Sequence, residues 1–428
     1  MDKPLLIYNL FPRIAGTFTD WEEHVKRAKK LGFTAIFINP IHYPGFSGSL
    51  YAVKDYYAIN PMFVDKDSKL PPMEQFKKFV NFVNDMDMDL IMDLVINHTA
   101  RDSILAEKHP EWFKHDENGD FVSPGAWDDK QGKMVIWGDL IEVDNEHAEN
   151  REELWNYWLD LVRYYSKMGI KGFRCDAAYQ VPSDLWNFLI SNSKKEFPEI
   201  YFLAETLGCT PEESVETAKS GFEYIFNSSK YWNFYDYWCI EQYNLFKNYT
   251  KTISFSESHD TPRLSFELNN NLNAIKLKYT FSIIFSTGTL VPIGFEFGFQ
   301  KKLDVVNMTP DDWEKINYDI SEFITINNNL KHQYKVFNED NDIYLIDNNN
   351  PHILTFMKVA SDKSQKAFII LNKDFYNYQY IKFDNLFDVF GSQNVIKDIS
   401  PEFALDFIPS NFEYNLRPAQ IIILLQEG

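Results

Sequence analysis

The chain has 428 residues, 45% hydrophobic and 24% charged, enough for about two or three globular domains with sizeable cores. A formal net charge of −20 argues against a nucleic-acid partner or an anionic membrane surface. Three cysteines, Cys175, Cys209 and Cys239, make neither an even disulfide set nor a metal-type spacing, and this fits a reducing compartment. No apolar run is long enough to span a membrane. The opening Met1-Asp2-Lys3-Pro4 lacks the basic region and long apolar core of a signal peptide, so a cytoplasmic location is expected.

In chain order, Leu5–Leu10 predicts a short apolar strand. Thr19-Asp20 reads as a helix start, and Val25, Ala28 and Leu31 keep helical spacing through Trp21–Leu31 to Gly32. Ala35–Ile41 predicts a second strand, followed by a polar loop containing Gly45-Phe46-Ser47-Gly48. Pro71-Pro72 opens a helix to about Met86, and Asp89–Val95 is a third strand ending at Asn97-His98. The stretch from Thr99 to Glu146 is rich in Asp, Gly, Pro and Trp and has no sustained periodicity. It is too long for a plain loop, so residues 99–146 are read as an inserted subdomain.

The alternation then resumes. A helix at about Glu149–Met168 precedes the strand ending in Asp176, and a helix from Ser183 precedes Ile200–Ala204, which ends at Glu205. Helix Pro211–Lys219, strand Phe222–Phe226 and an aromatic-dense helix Trp232–Phe246 follow. Strand Thr252–Phe255 runs to Ser258-His259-Asp260, and a helix fills about Asn273–Ser286. Val291–Phe295 is the eighth strand, reaching Glu296, and Trp313–Asn327 is the eighth helix. Asn269–Asn271 and Asn327–Asn329 read as loops. The fold class is α/β. Eight alternations with apolar strands predict a closed parallel (β/α)8 TIM barrel over residues 1–98 and 147–332, with the inserted subdomain after strand 3. Beyond it, Asp342–Asp347, His352–Met357, Lys366–Leu371 and Gln420–Leu425 predict a C-terminal antiparallel β-sandwich domain over residues 333–428.

In such a barrel, function sits at the C-terminal ends of the strands. Those ends carry Asp93, Asn97 and His98, then Arg174 and Asp176, Glu205, His259 and Asp260, and Glu296. In Gly172-Phe173-Arg174-Cys175-Asp176, side chains alternate faces, so Arg174 and Asp176 share one. The guanidinium can orient the carboxylate and keep it ionised. Asp176, Glu205 and Asp260 come from three different strands and can converge. A nucleophile, an acid/base of raised pKa and groups that orient a ring are the equipment of glycosidic-bond cleavage with retention. Asp93 and Glu296 are read as structural, as are Trp232, Phe234, Tyr237 and Trp238, which pack a helix.

Four segments resemble the signature motifs of the α-amylase superfamily, glycoside hydrolase family 13. They are Asp93-Leu94-Val95-Ile96-Asn97-His98, Gly172-Phe173-Arg174-Cys175-Asp176-Ala177-Ala178, Phe202-Leu203-Ala204-Glu205 and Ser256-Glu257-Ser258-His259-Asp260. They stand in the family's order. The segments from Tyr51 through Asp55-Tyr56-Tyr57-Ala58-Ile59-Asn60-Pro61 and at Ile141-Glu142-Val143-Asp144 agree with it. The resemblance implies Asp176 as nucleophile, Glu205 as acid/base and Asp260 as the third acid. It implies that His98 and His259 hydrogen-bond the same sugar, that Tyr51 stacks on it, that Arg174 orients Asp176, and that Asp93 bonds Arg174.

The chain also departs from the family pattern. A Lys-His pair often follows the nucleophile and helps hold the glucan beyond the cleavage point. Here Ala178, Tyr179 and Gln180 stand there. No cofactor is required on this reading. The resemblance leaves calcium (Ca2+) open, with Asn97 and Glu142 as candidate oxygen ligands. Three functions remain: an α-amylase-like hydrolase on an α-glucan or maltooligosaccharide substrate, a transglycosylase on the same scaffold (a maltosyl- or glucanotransferase, with or without phosphate), and a non-catalytic carbohydrate-binding relative. The retention of all three acids disfavours the last. Linkage, physiological acceptor and oligomeric state are not encoded in these motifs.

Overall fold

The computed structural model describes residues 3–128 and 132–428. Among the described residues, eight parallel strands close into a barrel: β1 (Leu5–Leu10), β2 (Ala35–Ile38), β3 (Asp89–Leu94), β4 (Gly172–Cys175), β5 (Tyr201–Ala204), β6 (Tyr224–Phe226), β7 (Lys251–Phe255) and β8 (Gly288–Pro292). Each pairs with its sequence neighbours, and β1 closes the ring on β8, with Leu5 opposite Gly288. The surrounding helices are α1 (Phe18–Lys30), α2 (Pro72–Asp85), α3 (Arg151–Met168), α4 (Ser183–Glu196), α5 (Pro211–Ala218), α6 (Trp238–Phe246), α7 (Leu272–Phe285) and α8 (Ser321–Gln333).

Strand parity explains the two apolar layers. Leu5 and Ile7 of β1 point inward with Phe37, Ile91, Leu203 and Ile253. Leu6, Tyr8 and Leu10 point outward against the helices. Both faces are buried, so the strands read as continuous apolar runs. Helix starts follow local chemistry. Thr17 and Asp20 form a capping box ahead of α1, Thr210 and Glu213 form another at α5, and the Asn271 side chain accepts from the Ala274 N–H at α7.

After β3 the chain leaves the barrel. His98–Ala100 pairs antiparallel with Leu140–Glu142, and Gly125–Asp128 pairs with Lys133–Ile136. The C-terminal region forms a five-stranded antiparallel sheet from β9 (Ile343–Leu345), β10 (Ile353–Val359), β11 (Gln365–Asn372), β13 (Ile396–Asp398) and β15 (Ile421–Glu427), in the order β9-β10-β11-β15-β13. A two-stranded sheet, β12 (Gln379–Phe383) with β14 (Phe412–Leu416), packs on one face through Phe368, Ile370, Ile381 and Phe412. The other face, with Ile369 and Ile423, joins the barrel's outer core.

Four sequence expectations are corrected. The segment read as a polar loop holds a hairpin, His42–Pro44 against Val53–Ile59. The eighth strand is Gly288–Pro292, not Val291–Phe295, because Gly294 takes a left-handed φ of 87° and breaks the extension. The helix expected from Trp232 begins at Trp238, since Phe234 also adopts positive φ and Asn233 ties down the backbone of Tyr235 and Asp236. The eighth helix begins at Ser321, not Trp313, and continues through Asn327 and Asn328, which were read as a loop. Asn328 is buried there because its amide donates to the Leu31 carbonyl and its oxygen accepts from the Tyr279 hydroxyl.

Candidate active site

The site gathers around one buried guanidinium. Inward parity on adjacent strands puts Arg174 of β4 beside Asp93 of β3, with which it is in register. Arg174 Nη1 donates to Asp93 Oδ1 at 2.8 Å and Oδ2 at 3.0 Å, and to Asp176 Oδ1 at 2.6 Å. Its Nη2 lies 3.7 Å from Glu205 Oε2 and 3.8 Å from Asp260 Oδ2. One cation, with its side chain only 4% exposed, thus faces four carboxylates. The three acids from separate strands do converge.

The backbone around Asp176 is shaped for this. Ala177 sits in the left-handed region at φ 41°, unusual for a residue with a side chain. In that conformation its N–H donates to Glu205 Oε2 at 2.8 Å. The Leu207 N–H donates to Glu205 Oε1 at 2.5 Å. Asp260 Oδ2 lies 3.0 Å from His259 Nε2. The Tyr51 hydroxyl donates to Asp93 Oδ2 at 2.7 Å, lies 2.7 Å from His259 Nε2, and accepts from the Asn39 amide at 2.9 Å.

These surroundings separate the acids electrostatically. Burial pushes Glu205 up to about 7; Arg174 opposes this, while Asp176 and Asp260 reinforce it. Asp93 is raised to about 6 by burial despite Arg174. Asp260 shows the opposite outcome. Burial would raise it, but the contacts with His259 and Arg174 prevail and hold it below the usual carboxylate range. One acid therefore keeps a proton near neutral pH while another of the same cluster stays ionised.

Tyr51, His98, Arg174, Asp176, Glu205 and Asp260 all line a cleft of about 560 Å³ at the C-terminal ends of the strands. His98 is buried, and burial lowers its pKa against the opposing influence of Asp176 and the Tyr51 backbone. His259 stands behind the wall of the cleft and stacks on the Tyr51 ring at 5.8 Å between centroids. Glu296 lies outside the cleft, accepting from the Tyr8 hydroxyl and from Arg27. Sequence reasoning did not single out Trp137, Asp139 and Leu207, which also line the cleft. Trp137 belongs to the excursion after β3, where no periodicity marks a contact with the barrel mouth. Tyr179, noted only as a departure from the Lys-His pattern, lines the same wall.

Asn97 and Glu142, the calcium donors suggested by the resemblance, each bond a neighbouring side chain. Asn97 Nδ2 donates to Gln180 Oε1 at 3.0 Å, and Glu142 pairs with Lys114 at 2.7 Å. Asn97 Oδ1 is buried without a partner, but a single amide oxygen is far from the six to eight oxygens calcium takes. No group of three or more His, Cys, Asp or Glu among the described residues is placed to hold a metal ion. The residues present do not fit a calcium ion. No helix among the described residues is long and apolar enough to cross a membrane.

Comparison with known proteins places this geometry. Residues 3–130 match the family described as "Glycogen debranching enzyme, glucanotransferase domain". The alpha-1,4-glucan:maltose-1-phosphate maltosyltransferase of Picrophilus torridus is 28% identical over 236 residues, covering 50% of this chain and 35% of that protein. Its counterpart in Corynebacterium glutamicum is 22% identical over 416 residues, covering 86% of this chain and 58% of that protein. The chain spans less than two thirds of either curated relative. In fold it resembles a noncanonic maltogenic alpha-amylase from Thermotoga neapolitana, with a TM-score of 0.78, 24% identity and coverage of 100% of this chain and 99% of that one. Fold and site together define a (β/α)8-barrel protein of the amylase type, with an arginine-centred acidic cleft at its strand ends. These similarities agree with the resemblance of its sequence motifs to the α-amylase superfamily, glycoside hydrolase family 13.

Proposed function

We propose that this protein is a retaining α-glucan-active enzyme, most simply an α-amylase-like hydrolase, that cleaves α-glucosidic bonds by double displacement. The observation that carries the reading is the split of the acids around Arg174. Asp176 is oriented through one oxygen by the guanidinium, and Glu205 is held near pKa 7 in the same cleft. That pairing matches a nucleophile and a general acid.

In the first step Asp176 attacks the anomeric carbon as the bond to the glycosidic oxygen breaks. Glu205 gives its proton to that oxygen, and the shortened glucan leaves. In the second step Glu205 takes a proton from an incoming hydroxyl. The resulting oxygen attacks the anomeric carbon and displaces the Asp176 carboxylate, so configuration is retained. Asp260, held ionised by His259 and Arg174, stabilises the positive charge that develops on the ring. His98 lines the cleft and offers a ring nitrogen to a sugar hydroxyl. The Tyr51 hydroxyl, bound to Asp93 and His259, fixes the ring that lines the sugar's position.

A second reading is transfer, in which a sugar hydroxyl replaces water in the second step. Tyr179, Leu207 and Trp137 support it, because aromatic and apolar groups line the cleft where an acceptor would enter. The names of the curated relatives point the same way. A product assay separates the readings. The protein is incubated with maltoheptaose, with and without maltose 1-phosphate and inorganic phosphate. New reducing ends with shorter products mean hydrolysis. Longer and shorter products at constant reducing ends mean disproportionation, and growth only with maltose 1-phosphate means maltosyl transfer. No change in any arm would sink both readings.

A further inference from the structure

The loop that carries Asp260 is closed at its neck by a buried ion pair. Glu257 and Arg263 stand three residues before and three residues after Asp260. Arg263 Nη1 donates to Glu257 Oε1 at 2.7 Å, and the Leu264 N–H donates to Glu257 Oε2 at 2.5 Å. The two side chains are buried, and neither lines the catalytic cleft.

The same guanidinium ties the neck to the next strand. Its Nη2 donates to the Ile293 carbonyl at 2.7 Å, just past β8, and its Nε to the Lys301 carbonyl at 3.3 Å. The segment after Lys301 leads to Val305 and Val306, which line the cleft. Arg263 therefore joins the end of β7, the end of β8 and the segment that supplies part of the cleft wall.

A buried ion pair adds little to stability, because desolvation offsets the attraction, and apolar residues of similar volume commonly serve as well. What the guanidinium does add is a fixed geometry, since its planar fork directs the N–H groups at set angles. Fixed geometry is what Asp260 lacks from its own contacts. Its side chain is 47% exposed, against 14% for Asp176 and 10% for Glu205. Glu205 is held by two backbone N–H groups, and Asp176 by a 2.6 Å bond from Arg174. Asp260 has His259 of its own loop at 3.0 Å, and Arg174 only at 3.8 Å. The Ser258 N–H donates to Thr261 Oγ1 and the Asp260 N–H to Ser258 Oγ, which shapes the loop without attaching it to the barrel. His259 attaches the tip through the Tyr51 hydroxyl, and the ion pair attaches the base.

We propose that Glu257 and Arg263 are positioning residues for the cleavage reaction, setting where the Asp260 carboxylate stands against the sugar ring. The proposal rests on the α-glucan reading given above, in which Asp260 stabilises charge developing on that ring. Both side chains act through the loop. Misplacing a catalytic group by about 1 Å costs about 10²-fold in rate.

The test is a double-mutant cycle. Glu257→Leu/Arg263→Met replaces the pair with apolar groups, and Arg263→Lys keeps the charge without the fork, which guards against a folding defect in the first variant. Each is made in the parent and in Asp260→Asn, and kcat and KM on maltoheptaose are measured. Hydrogen exchange of the peptide spanning residues 258–262 gives a readout independent of turnover. In the parent, kcat should fall about 10²-fold for the apolar pair and about tenfold for Arg263→Lys, with KM within about threefold. In Asp260→Asn, either change should cost less than about threefold more, because the group being positioned is gone. Exchange in the loop should rise with both changes. An equal loss in the parent and in Asp260→Asn, or no loss from an active parent, would overturn the positioning role alone. A parent that turns over no α-glucan would overturn the enzyme reading. Faster loop exchange in its variants would still support the neck as the anchor of Asp260, and unchanged exchange would overturn that too.

Discussion

The two ends of the barrel bury charge in opposite ways. At the C-terminal end of the strands, Arg174 faces Asp93, Asp176, Glu205 and Asp260, four carboxylates around one cation. At the N-terminal end, two buried lysines face one carboxylate. Lys331 of α8 donates to the carbonyls of Ser286, Thr287 and Phe337. Lys358 of β10 donates to those of Ile284, Phe285 and Glu339, at 3.1, 2.9 and 3.2 Å. Asp340 accepts from the backbone N–H groups of Thr252 and Thr287.

At the lower end each lysine is matched to carbonyls that need a donor. Ile284, Phe285 and Ser286 close α7, and the last carbonyls of a helix have no partner within it. They also carry the negative end of its dipole, which favours cations. Burial still lowers Lys358 to about 8, yet both lysines have every donor directed at an oxygen. At the upper end the charges do not balance; burial, reinforced by Asp176 and Asp260, keeps a proton on Glu205 near neutral pH. A saturated cluster joins two parts of a fold, whereas an unsaturated one is poised for proton transfer.

The sharpest way to break this contrast is to remove one charge from each end. Asp176→Asn should lower kcat on maltoheptaose by roughly 10⁴-fold or more. Its urea midpoint should stay level or rise, because a like charge leaves the cluster. Activity within tenfold of the parent would remove Asp176 as nucleophile, and a large loss of stability would show that the two ends do not differ.

Next in size is Glu205→Gln, expected to cost about 10²–10⁴-fold in kcat on the same substrate. The pH profile of the parent gives the finer test. With Glu205 near 7, the proton needed for the first step is present below that pH and lost above it. The parent's kcat/KM should therefore fall about tenfold per pH unit above about 7. Glu205→Gln should lack this descent. A parent profile flat to pH 9 would exclude Glu205 as the titrating acid.

The smallest effect on catalysis belongs to the lower end. Lys358→Met leaves three carbonyls without a donor and should cost about 3–5 kcal/mol in urea unfolding. Turnover per folded molecule should not change. A drop in kcat without a drop in stability would mean that the two ends are coupled.

Much of this organisation was legible in the residues alone. Arg174 and Asp176 two positions apart, at the end of an apolar run, foretold their contact, because strand parity is a local rule. The bond from Arg174 to Asp93 was implied only by the family resemblance, and the register of β3 with β4 makes it. The trailing strands β12, β13 and β14 were missed, since each is short and partly exposed and its pattern is weak. Trp137 at the cleft was also missed, because the chain excursion that carries it follows no period.

What local order determined here is therefore the succession of strands and helices, and with it the acids that end those strands. The (β/α) rhythm, the caps and the alternation of faces all act within a few residues. Only closure of the barrel could decide that four carboxylates would share one guanidinium, and so that Glu205 rather than Asp260 would hold a proton. Only the docking of the C-terminal sheet could turn Lys358 into a cap for a helix some seventy residues earlier. The burial and charge spacing behind both outcomes depend on distances through space, and those distances exist only once distant segments are packed together.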